Sequence, residues 1–496
     1  MKRILIANTY FYRLDPKQWR FKQPYPPLAT ILAAAVLREH GFTVDLFDTN
    51  LRHSPNEIIP LLTAKAYDSV VFFDDGFNYL SKMCLTNMRE AAFEMIRQAK
   101  LANAKVLVAS SDASDHQEKY LRAGADVVLN GEAEQTLVDV LAENADVNSL
   151  QHLTGVSYLL GEDVITTSPR VVNRELDHLP IPAWDLVAMS DYRTIWRQHH
   201  GYFSLNIATT RGCPFKCNWC AKPIYGNRYN SRSPEHVVRE IDLLVTKYGA
   251  EHLWMCDDIF GLKPGWIDEF SELVKLRNLK FRYKIQSRVD LLLEEKTVES
   301  LASSGAETVW VGAESGSQKV LDAMDKGTTV EQIAEATKKL KQYNIRVAFF
   351  LQFGYLGEVR EDIEKTIAML LDLMPDEIGI SVSYPLPGTK FYKIVKDQLR
   401  EKQNWTDSDD LAMMFQSTFH GNYYKKLHRF VHSLYRRKKG IIRLKEILRS
   451  PLKINSTDVK MIAGIIYFGV QAFILKRKLH KLSHQESPLE ISAIPV

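Results

Sequence analysis

Twice along this chain, short β-branched runs alternate with amphipathic helical stretches, and that alternation admits few folds. A strand that returns through a helix pairs in parallel, so each block has to build a parallel sheet covered by helices. Over residues 1–150 the strand-like runs are Arg3–Asn8, Thr43–Phe47, Ser69–Phe73, Lys105–Ala109 and Asp126–Leu129. Helical stretches such as Leu28–His40, closed by Gly41, and Asn87–Lys100 lie between them. Five such units predict an α/β, doubly wound, Rossmann-like sheet. Ligands of these sheets bind beyond the carboxyl ends of the strands. That rule puts Asn8-Thr9, Asp74-Asp75-Gly76, Ser110-Ser111-Asp112 and Gly131-Glu132 along one rim.

The alternation resumes with Ser204–Ala208, His252–Cys256, Arg282–Gln286, Thr308–Val311, Arg346–Phe353 and Glu377–Val382. Six βα units fit either a second open sheet or a partial barrel, and periodicity alone does not separate the two. Residues 151–200 lack a clear period, and the spaced prolines of Leu179-Pro180-Ile181-Pro182-Ala183-Trp184 forbid a regular helix. The expected division is therefore a first domain at 1–150, a linker at 151–200, a second domain at 201–395 and a helical basic region at 396–496. With 45% hydrophobic and 25% charged residues, wholesale disorder and a multi-span membrane protein are excluded. Five cysteines are too few for a disulfide scaffold. Met1-Lys2-Arg3 runs into an apolar stretch too short for a secretory signal, so a reducing cytoplasm is expected.

Chemistry concentrates in Arg211-Gly212-Cys213-Pro214-Phe215-Lys216-Cys217-Asn218-Trp219-Cys220, directly after a predicted strand. Three thiolates this dense repel one another unless a cation lies between them. A structural zinc site takes four protein ligands, usually as two paired knuckles, and no second cysteine pair follows. An iron–sulfur cubane held by three thiolates keeps one iron open to a small molecule. Zinc completed by Cys256 or a histidine is the competing reading. Cys256 and Cys84 themselves read as buried thiols.

The Cx3Cx2C spacing at the head of six βα units resembles the radical S-adenosylmethionine (SAM) superfamily. Leu253–Phe260, Gly312–Ser317 and Tyr384–Thr389 resemble later motifs of its cobalamin-binding branch, and Gly124–Glu134 resembles the end of that branch's B12-binding domain. The resemblance implies a B12-binding Rossmann-like domain followed by a partial (βα)6 TIM barrel. It implies a [4Fe-4S] cluster on Cys213, Cys217 and Cys220, with SAM on the open iron. For SAM it further implies Asp257 or Asp258 at the ammonium, Gln286 and Arg288 at the third strand's end with Arg288 on the carboxylate, and Glu314 and Ser315 at the ribose. The corrin contacts it implies are Asn8, Thr9, Ser110, Ser111 and Gly131, with His116 as the candidate near cobalt. The Asp-x-His-x-x-Gly string of many B12 proteins does not occur in the first domain. Methyl transfer to an unactivated carbon of a small molecule is the implied activity, with cyclisation or oxidation as alternatives and a flavodoxin- or ferredoxin-like electron donor as partner. A SAM-cleaving enzyme whose first domain has lost B12 is a further alternative. Methylthio transfer would require three more cysteines in the first domain, where only Cys84 occurs.

The formal charge of +4 hides an asymmetry: residues 421–496 carry 16 Lys and Arg against four acids, leaving residues 1–420 with a net charge of −8. Within that tail Met461–Leu475 is uncharged and is followed by Lys476-Arg477-Lys478. Fifteen residues fall short of the ~20 needed to cross a bilayer. A domain-capping helix with a solvated basic face and a helix lying on an anionic membrane surface are the two main readings. A cluster-bearing module that binds nucleic acid through the tail is a third, and the acidic body speaks against it.

Overall fold

The computed structural model describes residues 2–222, 224–399, 402–449 and 456–483. The first sheet has seven strands: β1 Arg3–Ala7, β2 Thr43–Phe47, β3 Ser69–Phe73, β4 Lys105–Ala109, β5 Val127–Leu129, β6 Val156–Leu160 and β7 Asp163–Thr166. Their order is β2-β1-β3-β4-β5-β6-β7, so the strand sequence reverses between β1 and β3, the switch point of a doubly wound fold. The first five strands pair in parallel, and β3 is buried at every residue, as a sheet covered on both faces requires.

The expected linker is corrected here. β6 and β7 add to the sheet antiparallel, as a hairpin turning at Gly161-Glu162 with Gly161 at φ +62. β7 is the sheet's short, solvent-exposed edge, and the pair is a tight antiparallel hairpin outside the strand–helix alternation that marks the other strands. The proline run does stay irregular, and Met189–His200 then forms a helix ended by left-handed Gly201.

The second sheet runs β8 Ser204–Ile207, β11 His252–Met255, β12 Arg282–Ser287, β13 Ala306–Glu314, β14 Arg346–Phe353 and β15 Glu377–Val382, all parallel and in sequence order. Sequential order is the winding of a barrel and not of a switch-point sheet, which settles the question left by periodicity. β8 and β15 are its two edges, so the barrel is partial. Between β8 and β11, the two-residue strands β9 Thr210–Arg211 and β10 Asn230–Ser231 pair antiparallel and tie together the ends of the cysteine loop. Alternate residues divide the second sheet's faces. Val309, Val311 and Ala313 are buried on one face of β13, whereas Trp310 and Gly312 stand on the other, half-open face.

Residues 396–496 are also not one helical region. Residues 402–420 form an irregular strap that returns to the first sheet. Trp405 O accepts from Thr86 N at 2.9 Å, and Ser408 Oγ donates to Asp15 Oδ1 at 2.7 Å. The helix Gly421–Arg449 that follows buries Tyr423, Tyr424, Leu427, Val431 and Tyr435 in the main core. Tyr435 Oη donates to the carbonyls of Pro375 and Asp376 at 2.8 and 2.7 Å. The basic residues were legible, but the periodicity of this helix did not reveal what its apolar face packs against.

Under that helix lies Glu358, wholly buried, with one carboxyl oxygen accepting from Gly354 N at 2.6 Å and the other without a partner. Burial pushes its carboxyl up from 4.5 to about 8, so the folded protein holds it neutral while the unfolded chain ionises it. Its contribution to stability is full below 4.5 and is lost as the pH rises to about 8, amounting to a few kcal/mol. Glu358→Gln keeps the neutral form at every pH. Thermal melting across that window should show the variant losing much less stability than the wild type with rising pH; parallel curves would mean that Glu358 is ionised in the folded protein.

Candidate active site at the junction of the two sheets

The loop carrying the cysteines is positioned from four sides. Ahead of it, Asp257 at the end of β11 accepts from Thr209 N, Thr210 N and Thr209 Oγ1, each at 2.7 Å. Gly212, at φ +76, lets the chain turn directly against the carbonyl oxygen of Arg228, where a Cβ would collide. Inside the loop, Asn218 donates from N to Met324 O at 3.0 Å and from Nδ2 to Ala323 O at 2.7 Å. It also accepts at Oδ1 from Tyr355 Oη at 2.8 Å. Trp219 packs on the small core of Met324, Tyr355, Phe391 and Phe415. The residues between the cysteines are thus the anchors, and the sulfurs are left to face the site.

The fourth hold comes from the first sheet. Arg211, adjacent to Gly212, is buried and paired to Glu132 Oε1 at 2.5 Å and Glu134 Oε1 at 2.6 Å, just beyond β5. Its guanidinium also lies 5.2 Å from the Tyr225 ring, which stacks on Phe77. Burial opposes the charge on Arg211, and the carboxylates outweigh it.

The three sulfurs sit in a cationic surround. Burial pushes the Cys213 thiol up and the Cys220 thiol up to about 12, so bare thiolates are disfavoured there without compensating charge. Lys222, Lys82 and Lys326 supply that charge. Lys222 lies in the field of Cys213 and Cys220 and donates to Phe215 O and to Asn227 Oδ1. Lys82, from the first domain, pairs with Asp258 Oδ1 at 2.5 Å. Asp258 and the thiols of Cys220 and Cys256 hold it above its ordinary value against its own burial. Lys326 pairs with Glu314 Oε1 at 2.9 Å, and Glu314 and Cys217 raise it in the same way. Sequence reasoning missed all three lysines: Lys82 meets Asp258 from 176 residues away, and no motif marks Lys222 or Lys326. Among the described residues no three His, Cys, Asp or Glu side chains close on a single ion. A cubane's three ligands bind separate irons, so the donor set of three thiols ringed by ammonium groups fits a cluster.

The residues expected around SAM divide. Asp257 is consumed by the loop's three donors, and burial pushes it up to about 6, so Asp258 is the carboxylate of the pair left facing the thiols. Arg288 does not reach out. Its guanidinium forks onto Asp290 at 2.9–3.3 Å, donates to Lys326 O at 2.8 Å, and lies 3.7 Å from the Phe215 ring, bracing the loop. Ser315 is likewise structural: its hydroxyl meets Thr366 Oγ1 at 3.0 Å. Glu314 does enter the site. It sits at φ +55 where β13 shifts register against β14, a strained position of the kind that collects at functional sites. Gly312 leaves the space that the Glu314–Lys326 pair fills. Gln286 is half-buried at the end of β12 with no side-chain hydrogen bond. Tyr384 stacks on Trp405 at 4.3 Å and donates to Met83 O at 2.8 Å, so the Pro-Gly motif it opens serves domain contact.

On the first sheet's rim, Asn8 spends its amide on Tyr10 O and Thr49 N, Thr9 N donates to Asp74, and Ser110 caps the following helix through Ala113 N. These three hold their own turns. Ser111 Oγ is buried without a hydrogen-bond partner, and the buried His116 Nε2 lies 3.9 Å from Asp112 Oδ1. Gly131, at φ +72, borders a narrow crevice lined with Phe73, Asp74, Gly76, Ile224 and Tyr225, the last two from the cysteine loop. The open face of the barrel adds Trp310 stacked on Phe350 at 4.6 Å, with Gly379 leaving them room. Lys284 also stands there, its ammonium 5.2 Å from the rings of Tyr25 and Trp254 and pushed by burial down to about 8. Cys84 and Cys256 are buried thiols, as expected.

Residues 207–370 match the model of the radical SAM superfamily. Those residues, which hold the cysteine loop and most of the barrel, form a radical SAM domain. The chain is 30% identical over 285 residues to an uncharacterized methyltransferase of Pyrococcus horikoshii, covering 56% of this chain and 60% of that one. It is 27% identical over 285 residues to an anaerobic magnesium-protoporphyrin IX monomethyl ester cyclase of Cereibacter sphaeroides, covering 55% and 45%. The chain therefore spans 60% or less of the length of either relative. Its fold is that of OxsB, a cobalamin-dependent SAM radical enzyme, with a TM-score of 0.71 at 17% identity over 99% of this chain and 74% of that one. TsrM, a radical SAM methyltransferase from Kitasatospora setae, has a TM-score of 0.65 at 18% identity over 80% and 75%.

The division between the two aspartates is testable. Asp257→Ala strands three donors in the core and should destabilise the protein by about 3 kcal/mol and lower its iron content after reconstitution. Asp258→Asn, which keeps an acceptor for Lys82, should leave the iron content close to wild type. Equal iron loss in the two variants would show that Asp257 does not act by anchoring the loop.

Proposed function

We propose that this protein is a cobalamin-dependent radical SAM enzyme that methylates an unactivated carbon of a small-molecule substrate. One observation carries the reading: the loop bearing Cys213, Cys217 and Cys220 is clamped by Arg211 to the rim of a doubly wound sheet. A cluster on the loop and a cofactor on the rim would thus share one chamber. When bound, the cluster, SAM and cobalamin together supply reductive cleavage of a sulfonium and a transferable methyl group. Cys213, Cys217 and Cys220 would hold the cluster, and Asp258 and Glu314 present carboxylate oxygens toward SAM. Ser111 offers its unpartnered hydroxyl, and His116 its imidazole, to a cofactor rich in amide groups. Lys82, Lys222 and Lys326 offset negative charge at the thiols, and Trp310 and Phe350 wall the chamber with apolar surface.

A one-electron donor of the flavodoxin or ferredoxin class and a reducing, cytoplasmic setting complete the proposal, since reductive cleavage consumes an electron and thiols stay free for a cluster only under reducing conditions. Similarity to the Cereibacter sphaeroides cyclase favours one second reading, ring closure in place of methylation.

Anaerobic reconstitution with iron, sulfide and hydroxocobalamin, followed by SAM and reductant, should yield 5′-deoxyadenosine and retain cobalamin through gel filtration. Cys217→Ala should abolish the visible iron–sulfur absorbance. Stoichiometric zinc without acid-labile sulfide would overturn the assignment. A cluster-loaded protein that cleaves SAM but retains no cobalamin would overturn the cobalamin part alone.

A further inference from the structure

We propose that the C-terminal helical hairpin is a docking surface for an anionic lipid bilayer, on which its second helix, Ser456–Ser483, lies flat. That helix runs along Gly421–Arg449 and shows the two sides of an interfacial element. Its inner side is fastened by polar and basic groups. Arg443 forks onto Asp458 at 2.7 and 3.1 Å, Ser433 Oγ donates to Gln471 Oε1 at 2.6 Å, and the Arg436 guanidinium lies 5.4 Å from the Phe468 ring. Gly440 allows the close approach, since a Cβ there would meet Met461 O and Ile465 at 2.8 Å.

The outer side carries apolar residues with nothing over them. Val459 is 58% exposed, Ile466 78%, Tyr467 61%, Val470 56%, Phe473 56% and Ile474 46%. Spacings of seven, four and three residues put them on one stripe. A solvated stripe of six large apolar side chains is unfavourable in water, so it implies an occupant.

Charge identifies that occupant. Exposed Lys460 stands at one end of the stripe and exposed Lys476, Arg477, Lys478 and Lys481 at the other, with Arg477 4.4 Å from the Phe473 ring. Among the described residues of the hairpin the acids are Glu446 and Asp458, and both are paired to Arg443. An apolar stripe bounded by cations matches a leaflet whose acyl layer takes Phe473 and Val470 and whose anionic headgroups take the lysines and arginines.

The helix is long and apolar enough by composition to cross a membrane, but two features favour lying on it. The uncharged run Met461–Leu475 covers about 22 Å at 1.5 Å per residue, short of the ~30 Å hydrocarbon core. Crossing would also strip the helix from the basic partner that holds it through Arg443 and Ser433.

The test uses the full chain and does not depend on catalysis, so it stands apart from the proposed activity. Sedimentation with vesicles of phosphatidylcholine and phosphatidylglycerol in equal parts should carry down the protein, with release by high salt. Vesicles of phosphatidylcholine alone should bind about tenfold or more weakly. The double variant Val470→Asp, Phe473→Asp changes exposed residues only and should melt as the wild type does while losing about tenfold or more in binding. Retention on the vesicles through alkaline carbonate would overturn the proposal in favour of a spanning helix. Light scattering that shows a dimer broken by the double variant, without vesicle binding, would overturn it in favour of a second copy as the occupant. Equal binding to neutral and anionic vesicles would remove the role given to the basic groups.

Discussion

The buried contact of Arg211 with Glu132 and Glu134 holds the architecture together. It joins the turn after β5 of one sheet to the residue that starts the cysteine loop of the other. Two carboxylates and a guanidinium are costly to take out of water, and such a group is stable only when every partner is present. Its presence in the core therefore fixes the two sheets in one relation. Lys82 can reach Asp258 beside the thiols, and Tyr225 can stack on Phe77, because that relation is fixed.

The site shows a division of labour that side-chain chemistry alone does not announce. Several residues with the right functional groups are spent on holding the frame: Asp257 on the loop's entry, Arg288 on Asp290 and Phe215, Ser315 on Thr366. Those left facing the thiols are Asp258 and Glu314, and each is countered by a lysine. A carboxylate so paired keeps its direction near a loop that would otherwise place three sulfurs close to two anions.

Much of this was legible in the sequence, and the limits are physical. β14 matches its expected bounds because a long buried strand in a parallel sheet leaves a nearly continuous hydrophobic run. The cysteine loop stood out because three thiols in eight residues are too expensive to occur without a cation. β6 and β7 escaped because they pair as a short antiparallel hairpin, with no helix between them to continue the alternation. Which of Asp257 and Asp258 faces the site escaped as well, since adjacent residues at a strand end point opposite ways and only the tertiary partners decide between them. The lysines were invisible for the same reason: Lys82 lies 176 residues from the aspartate it meets.

The strap of residues 402–420 has a consequence for the order in which the molecule is made. Thr86 is bonded to Trp405 and Asp15 to Ser408, so the N-terminal sheet waits for partners that leave the ribosome some three hundred or more residues later. The nascent first domain can collapse early, but its seam with the barrel closes only once β15 and the strap have emerged. Until then Tyr384 has no Trp405 to stack on, and the chamber between the sheets stays open to incoming cofactors. Cofactor insertion during synthesis would meet a wider doorway than the finished molecule presents.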